Sequence, residues 1–260
     1  RATDHGRSGA AEMMMFVIAG KELRRLFAAP LAWVVLACLQ ILFAYFFLLG
    51  LQAFYETQSQ MAMNPGAPGF TAYVVEASFG IARILLLMVV PLLSMRMLAE
   101  ERRNQTLIFL LSAPVSITQI VLGKFLALTA FLAIAIGLLV LMSLSLYAGG
   151  KLDLGMLLGN TLGLFLLCCS FAAVGLYLSS LTAQPVIAIV GTFAALLVLW
   201  LVNAGATDPA SPLHLISLIK HLDTFARGIV ALNDLIYYLV LIALFLLLSI
   251  RRLDADRLRA

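Results

Sequence analysis

Apolar residues in this chain come in long unbroken runs separated by short clusters of charge, not at the two- or four-residue spacing of a half-buried element. Six runs stand out: residues 31–51, 79–98, 125–147, 157–181, 186–202 and 235–250. A helix needs about 20 mostly apolar residues to cross roughly 30 Å of hydrocarbon, where lipid cannot satisfy backbone N–H and C=O groups. The pattern therefore predicts an all-α polytopic membrane protein with six transmembrane helices. The last two runs are short, a deficit that tilt or flanking residues absorb. The fourth and fifth are joined by "SSLTAQP", which has no charge and contains Pro185, so they form a tight helical hairpin.

Three shorter helices are predicted between and before the runs. In "FVIAGKELRRLFAAP", Phe16, Gly20, Leu23 and Phe27 share a face while Lys21, Glu22, Arg24 and Arg25 lie elsewhere. That spacing predicts an N-terminal interfacial helix over 15–29, flat on the membrane surface until Pro30 turns the chain. In "SPLHLISLIKHLDTFARG", Ser211 serves as N-cap, Pro212 opens the first turn and Gly228 stops the helix. Leu215, Leu218, Ile219, Leu222 and Phe225 form its stripe, so a short extracellular amphipathic helix is expected over 211–227. The third lies in "PLLSMRMLAEERRNQTLIFLLSAPVSITQIVLGK": after Glu100, Glu101, Arg102 and Arg103, the leucines Leu107, Leu110 and Leu111 recur at helical spacing until Pro114. Ser116 and Gln119 then form a capping box for the third span.

Composition agrees with the membrane reading: 63% of the residues are hydrophobic, 12% are charged, and mean hydropathy is +1.06. Lys and Arg are retained on the cytoplasmic side. With the N-terminus inside, that side holds Arg1, Arg7, Lys21, Arg24, Arg25, Arg96, Arg102, Arg103, Lys124, Arg251, Arg252, Arg257 and Arg259. Only Arg83, Lys151, Lys220 and Arg227 lie on or towards the other. Both termini are thus expected in the cytoplasm, and the net charge of +4 reads as orientation rather than nucleic-acid binding. Cys38, Cys168 and Cys169 fall within runs and read as small apolar residues. The tail 1–14 reads as a linker or upstream extension, with Met13, Met14 or Met15 a better start, and no cleavable signal peptide is expected. Residues 15–260 then make one transmembrane domain.

Catalytic chemistry finds little support. There is no H-E-x-x-H and no G-x-S-x-G, and His214 and His221 stand about 10 Å apart along a helix, too far to share a metal. Neither Gly20-Lys21 nor Gly123-Lys124 completes a phosphate-binding G-x-x-x-x-G-K-[ST] loop. No catalytic residue, metal or cofactor is assigned to this chain. Two polar side chains interrupt the spans. Gln40 lies in the first, and Arg83 sits about 20 Å from the cytoplasmic end of the second, with Glu76 two turns earlier. A charge at that depth is costly unless it snorkels, pairs or faces water, so Arg83 either snorkels or lines a substrate path, for which Gln40 is the other candidate.

The segments "KELRRLFAAPLAWV", "PLLSMRMLAEERRNQTLIFLLSAPVSITQIVLGKF" and "HLDTFARGIVALNDLIYYL" resemble the permease subunits of ABC-2 type transporters. They are most similar to the gliding-motility branch, and somewhat less to permeases serving copper-site maturation of nitrous oxide reductase. The resemblance implies that the stretch after the second span, residues 99–118, is a coupling helix docking on a separate ABC ATPase. Glu100, Glu101, Arg102 and Arg103 match its charged lead-in, Thr106 its polar start, Leu107 and Leu110 its stripe, and Pro114 its end. Gly123 and Lys124 match a Gly-Lys pair opening the third span. Gln105 departs from the pattern, replacing a Gly. The resemblance also implies an inner-membrane location, ATP and Mg held by the partner ATPase, a second permease copy or paralogue, and export. The alternative is transmission of ATPase motion to an extracytoplasmic accessory subunit without solute transport.

Overall fold

The computed structural model describes residues 2–61, 69–106, 115–148, 153–205 and 217–257. Among them every regular element is helical: α1 (Ala2–Ala28), α2 (Pro30–Met61), α3 (Phe70–Arg103), α4 (Ile117–Leu144), α5 (Leu154–Leu181), α6 (Pro185–Gly205), α7 (Leu218–Ala226) and α8 (Leu232–Arg257), with a 3₁₀ turn at Ser145–Ala148.

Five helices are long and apolar enough to cross a membrane: α2, α3, α4, α5 and α8. The fifth apolar run does form a helix, α6, but its apolar part Pro185–Leu201 is shorter than the others, so the described helices show five such spans where six were expected. The last run, short in the sequence, gains length from both flanks and becomes a 26-residue helix.

α5 is the central helix. Its apolar stretch is 72% buried, against 28% for α8 and 33% for α2, which present most of their surface outward. It packs on α3, α4, α6, α7 and α8. Small residues allow this: a Cβ on Gly175 would stand 2.3 Å from Ser94 Oγ on α3, so the two backbones approach as only glycine permits. One turn further on, the Ser179 hydroxyl accepts from the Ala99 N–H (2.9 Å) and donates to the Met95 carbonyl (3.2 Å). It thereby inserts into the backbone ladder of α3 just before that helix ends.

Two of the shorter helices differ from expectation. α1 is continuous from Ala2, so the segment read as a tail, 1–14, is helical from its second residue. α1 also follows α4 rather than meeting it at one point: Ile18 faces Gly123, Glu22 faces Lys124, and the Phe27 ring lies 5.5 Å from Phe131. The corner into α2 is closed by Trp33, whose Nε1–H donates to the Phe27 carbonyl at 2.8 Å. α7 starts later than expected. Its N-cap is Ser217, accepting from the Lys220 N–H, while Ser211, Pro212, His214 and Leu215 lie outside the described residues. Gly228 stops it as expected, at φ +76°, a conformation glycine adopts without strain.

Candidate functional site

The charged stretch that follows the second run is the last turn of α3. Glu100 to Arg103 are helical, and the chain leaves through a Schellman motif: the Thr106 N–H bonds to the Glu101 carbonyl (3.0 Å) and the Gln105 N–H to the Arg102 carbonyl (3.1 Å). Gln105 takes the left-handed position, φ +61°. A glycine is ordinarily favoured there, so Gln105 does not abolish the bend; it makes the bend at a conformational cost.

Each charge of that turn has a different environment. Glu101 is buried, 6% exposed. Its Oε1 receives the Lys124 ammonium at 2.7 Å and the Arg25 guanidinium at 3.1 Å. Lys124 is fully buried and also reaches Glu22 Oε1 at 3.1 Å. One ammonium thus holds two carboxylates and joins α1, α3 and α4. Burying three charges is costly, and the cost is offset only while all three stay together. The neighbouring Gly123 makes the arrangement geometrically feasible, because any Cβ there would lie 2.7 Å from Ile18 Cγ2. Arg102 pairs with Asp256 on α8, which Arg252 also approaches at 3.8 Å. Glu100 pairs with Arg96 one turn back, at 3.1 Å. Arg103, Gln105 and Thr106 are exposed.

Beyond the turn, Leu107, Leu110 and Pro114 lie outside the described residues. The chain is described again from Val115, and the capping box is formed as expected: Ser116 Oγ accepts from the Gln119 N–H (3.3 Å) and Gln119 Oε1 from the Ser116 N–H (3.0 Å).

Arg83 lies elsewhere, about 25 Å up α3 from this turn by helical rise. It is half-buried, and its Nη2 donates to Asn160 Oδ1 on α5 at 3.4 Å. Asn160 Nδ2 in turn donates to the Ala226 carbonyl at the end of α7, at 3.0 Å. Asp223 on α7 acts on Arg83 more strongly than does Glu76 on its own helix. Gln40, on α2, is half-buried with Oε1 unpartnered among the described residues, and Arg83 is directed to α5 rather than to it. His221 bonds Asp234 at 2.6 Å and stacks on Tyr237, and among the described residues no group of His, Cys, Asp or Glu is placed to hold a metal.

Sequence reasoning missed Glu22, Asp256, Ser179 and Asn160. A lone acid in a basic helix and a lone amide in an apolar one signal burial, but do not say against what.

These features define a multi-pass helical membrane protein with a charged, cross-linked turn where its second long apolar helix, α3, gives way to the third, α4. The chain belongs to the ABC-2 family: residues 16–258 match the family described as ABC-2 family transporter protein. It is therefore a permease subunit of an ABC transporter, a membrane component rather than the ATPase, and the family implies an ABC ATPase partner. Comparison with curated proteins finds no match.

Proposed function

We propose that the segment between α3 and α4, residues 104–116, receives the motion of a separate ATPase subunit. The Lys124 clamp then passes that motion to α1, α3 and α4 together. The supporting observation is the clamp itself: a force on the segment acts on the end of α3, and α3 cannot move there without carrying Glu22 and Lys124 with it. Asp256 extends the connection to α8 through Arg102. In this reading α6 completes six spans, since its 21 residues rise about 31 Å. Both termini and the α5–α6 hairpin are cytoplasmic, and the chain works as a dimer around a central path in the inner membrane. Export is the direction that the resemblance to ABC-2 permeases implies. Arg83 belongs to the outer part of the path and is held by Asn160 rather than by lipid headgroups.

The test is a photo-crosslinking amino acid at Leu110, introduced into the full-length protein in its native host. The expected adduct is a polypeptide carrying a G-x-x-x-x-G-K-[ST] loop. A Leu110 probe yielding only lipid adducts, with the protein at normal membrane levels, would contradict the assignment.

A further inference from the structure

α1 packs on α4 along one side only, and its other side carries charge. Glu22 and Leu26 are buried, whereas Gly20, Lys21, Arg24, Arg25 and Ala28 are exposed and recur at the spacing of a single helical face. Glu22 is the one acid between Met13 and Pro30, and it is turned inward onto Lys124, so the exposed face holds cations with no carboxylate of its own. Among the described residues neither Lys21 nor Arg24 has an ion-pair partner. The clamp beneath them cancels itself, Lys124 and Arg25 against Glu22 and Glu101, and Arg96 cancels Glu100 alongside; Lys21 and Arg24 remain in excess.

The level of this face follows from its neighbours. Pro30 opens the first candidate span, and Arg25 precedes it by five residues, at most about 8 Å by helical rise. The headgroup layer on each side of the hydrocarbon is about 5–8 Å thick, so Arg24 and Arg25 stand beside it. Trp33, 61% exposed, lies just past the corner with its Nε1–H held on the Phe27 carbonyl, an amphipathic ring at the boundary. Beyond it Val34 and Ile41 continue an exposed apolar strip along α2, on the same helical face as Trp33. Cations beside an interfacial ring and an apolar strip match a lipid in both its parts: charge meets the phosphate, and the strip meets the chains.

We propose that Lys21 and Arg24, with the free edge of Arg25, form a binding site for the phosphate of an anionic phospholipid whose chains lie along Trp33, Val34 and Ile41. The proposal does not depend on the coupling role given above to residues 104–116. Arg25 joins the lipid to the clamp: its side chain is 51% exposed while Nη1 stays on Glu101 Oε1 at 3.1 Å, so its remaining N–H groups can serve a phosphate. A lipid bound there holds the guanidinium where Glu101 needs it. Charge selects the occupant, because two uncompensated cations favour a lipid of net negative charge over a zwitterionic one.

The test uses the purified full-length protein with Trp200→Phe, so that Trp33 is the sole indole, in micelles holding phosphatidylglycerol or phosphatidylcholine brominated near the head of its chains. Bromine quenches an indole that it approaches. Phosphatidylglycerol should quench Trp33 preferentially, and the preference should fall as salt is added. A basic residue near an anionic surface contributes roughly fivefold in affinity, so Lys21→Gln combined with Arg24→Gln should lower the preference about 25-fold at an unchanged thermal midpoint. Arg24→Lys should retain it, and Lys220→Gln with Arg227→Gln, around α7, should leave it as it is. Equal quenching by the two lipids, or a preference indifferent to the Lys21 and Arg24 changes, would overturn the proposal. Inorganic phosphate that removes the preference at the lipid's own concentration would assign the cations to a soluble anion and overturn it too. In the native host, a photo-crosslinking amino acid at Gly20, on the same face, should give lipid adducts; polypeptide adducts alone would assign the face to a protein partner and sink the proposal.

Discussion

Gln105 shows how much one residue's backbone can decide. The chain must reverse out of α3 within two residues to reach α4, and the Schellman geometry requires a left-handed residue at that point. A side chain there costs about 1 kcal/mol relative to glycine. Gln105→Gly should therefore raise the thermal midpoint of the purified protein, and Gln105→Val should lower it; equal midpoints would mean the turn is not held as described. Lys124 works in the opposite direction. Lys124→Ala leaves Glu22 and Glu101 buried without their shared cation, at an expected cost of about 3–5 kcal/mol, whereas Glu22→Gln, Glu101→Gln and Lys124→Met combined should recover most of that loss. Thermal unfolding of the two variants in the same detergent measures the difference. For the same reason, charge reversal at Glu101 would break the junction of α1, α3 and α4, and does not report on a docking surface.

Among the elements, those governed by local chemistry were legible in the sequence. The capping box at Ser116, the Gly228 stop, the hairpin at Pro185 and the long apolar helices all follow from neighbouring residues. The start of α7 was not, because Ser211 and Ser217 are equally good caps on sequence grounds and only packing separates them. Nor was the course of α1. Its amphipathic pattern fits an interface, but the pattern cannot show that Glu22 is turned inward onto Lys124. The "EERR" stretch stands out in the sequence, and the Glu100–Arg96 pair is legible at four-residue spacing, yet the partners of Glu101 and Arg102 come from α1, α4 and α8 and were invisible. α7 itself is pressed onto α5: a Cβ on Gly159 would stand 2.6 Å from the Phe225 carbonyl, and one on Gly163 would stand 2.7 Å from Phe225 Cβ. Backbone cannot yield as a side-chain tip does, so Gly159→Leu should displace α7, with overpacking of about 1–3 kcal/mol. Protease or cysteine accessibility around Ile229 should then rise, and unchanged accessibility would show that α7 is not held by this contact.

At the scale of the whole molecule, the described helices form a bundle around α5 with its two ends differently built. The end at α7 is closed by glycine contacts and hydrogen bonds between α5, α7 and α8, including the Tyr238 hydroxyl on the Leu218 carbonyl at 2.8 Å and His221 on Asp234 at 2.6 Å. The opposite end, where α3 gives way to α4, is tied by ion pairs through Lys124 and Asp256. The account's central claim is that the Lys124 and Asp256 ties carry ATPase motion to the rest of the bundle. The most direct measurement uses the complex with its ATPase in lipid vesicles, with a single cysteine at Ile229, in a background lacking Cys38, Cys168 and Cys169, reporting accessibility with and without ATP. The wild-type protein should show an ATP-dependent change in labelling. The combined variant Glu22→Gln, Glu101→Gln, Lys124→Met, stable and still bound to its ATPase, should hydrolyse ATP with no such change. An ATP-dependent change of wild-type size in that variant would contradict the account.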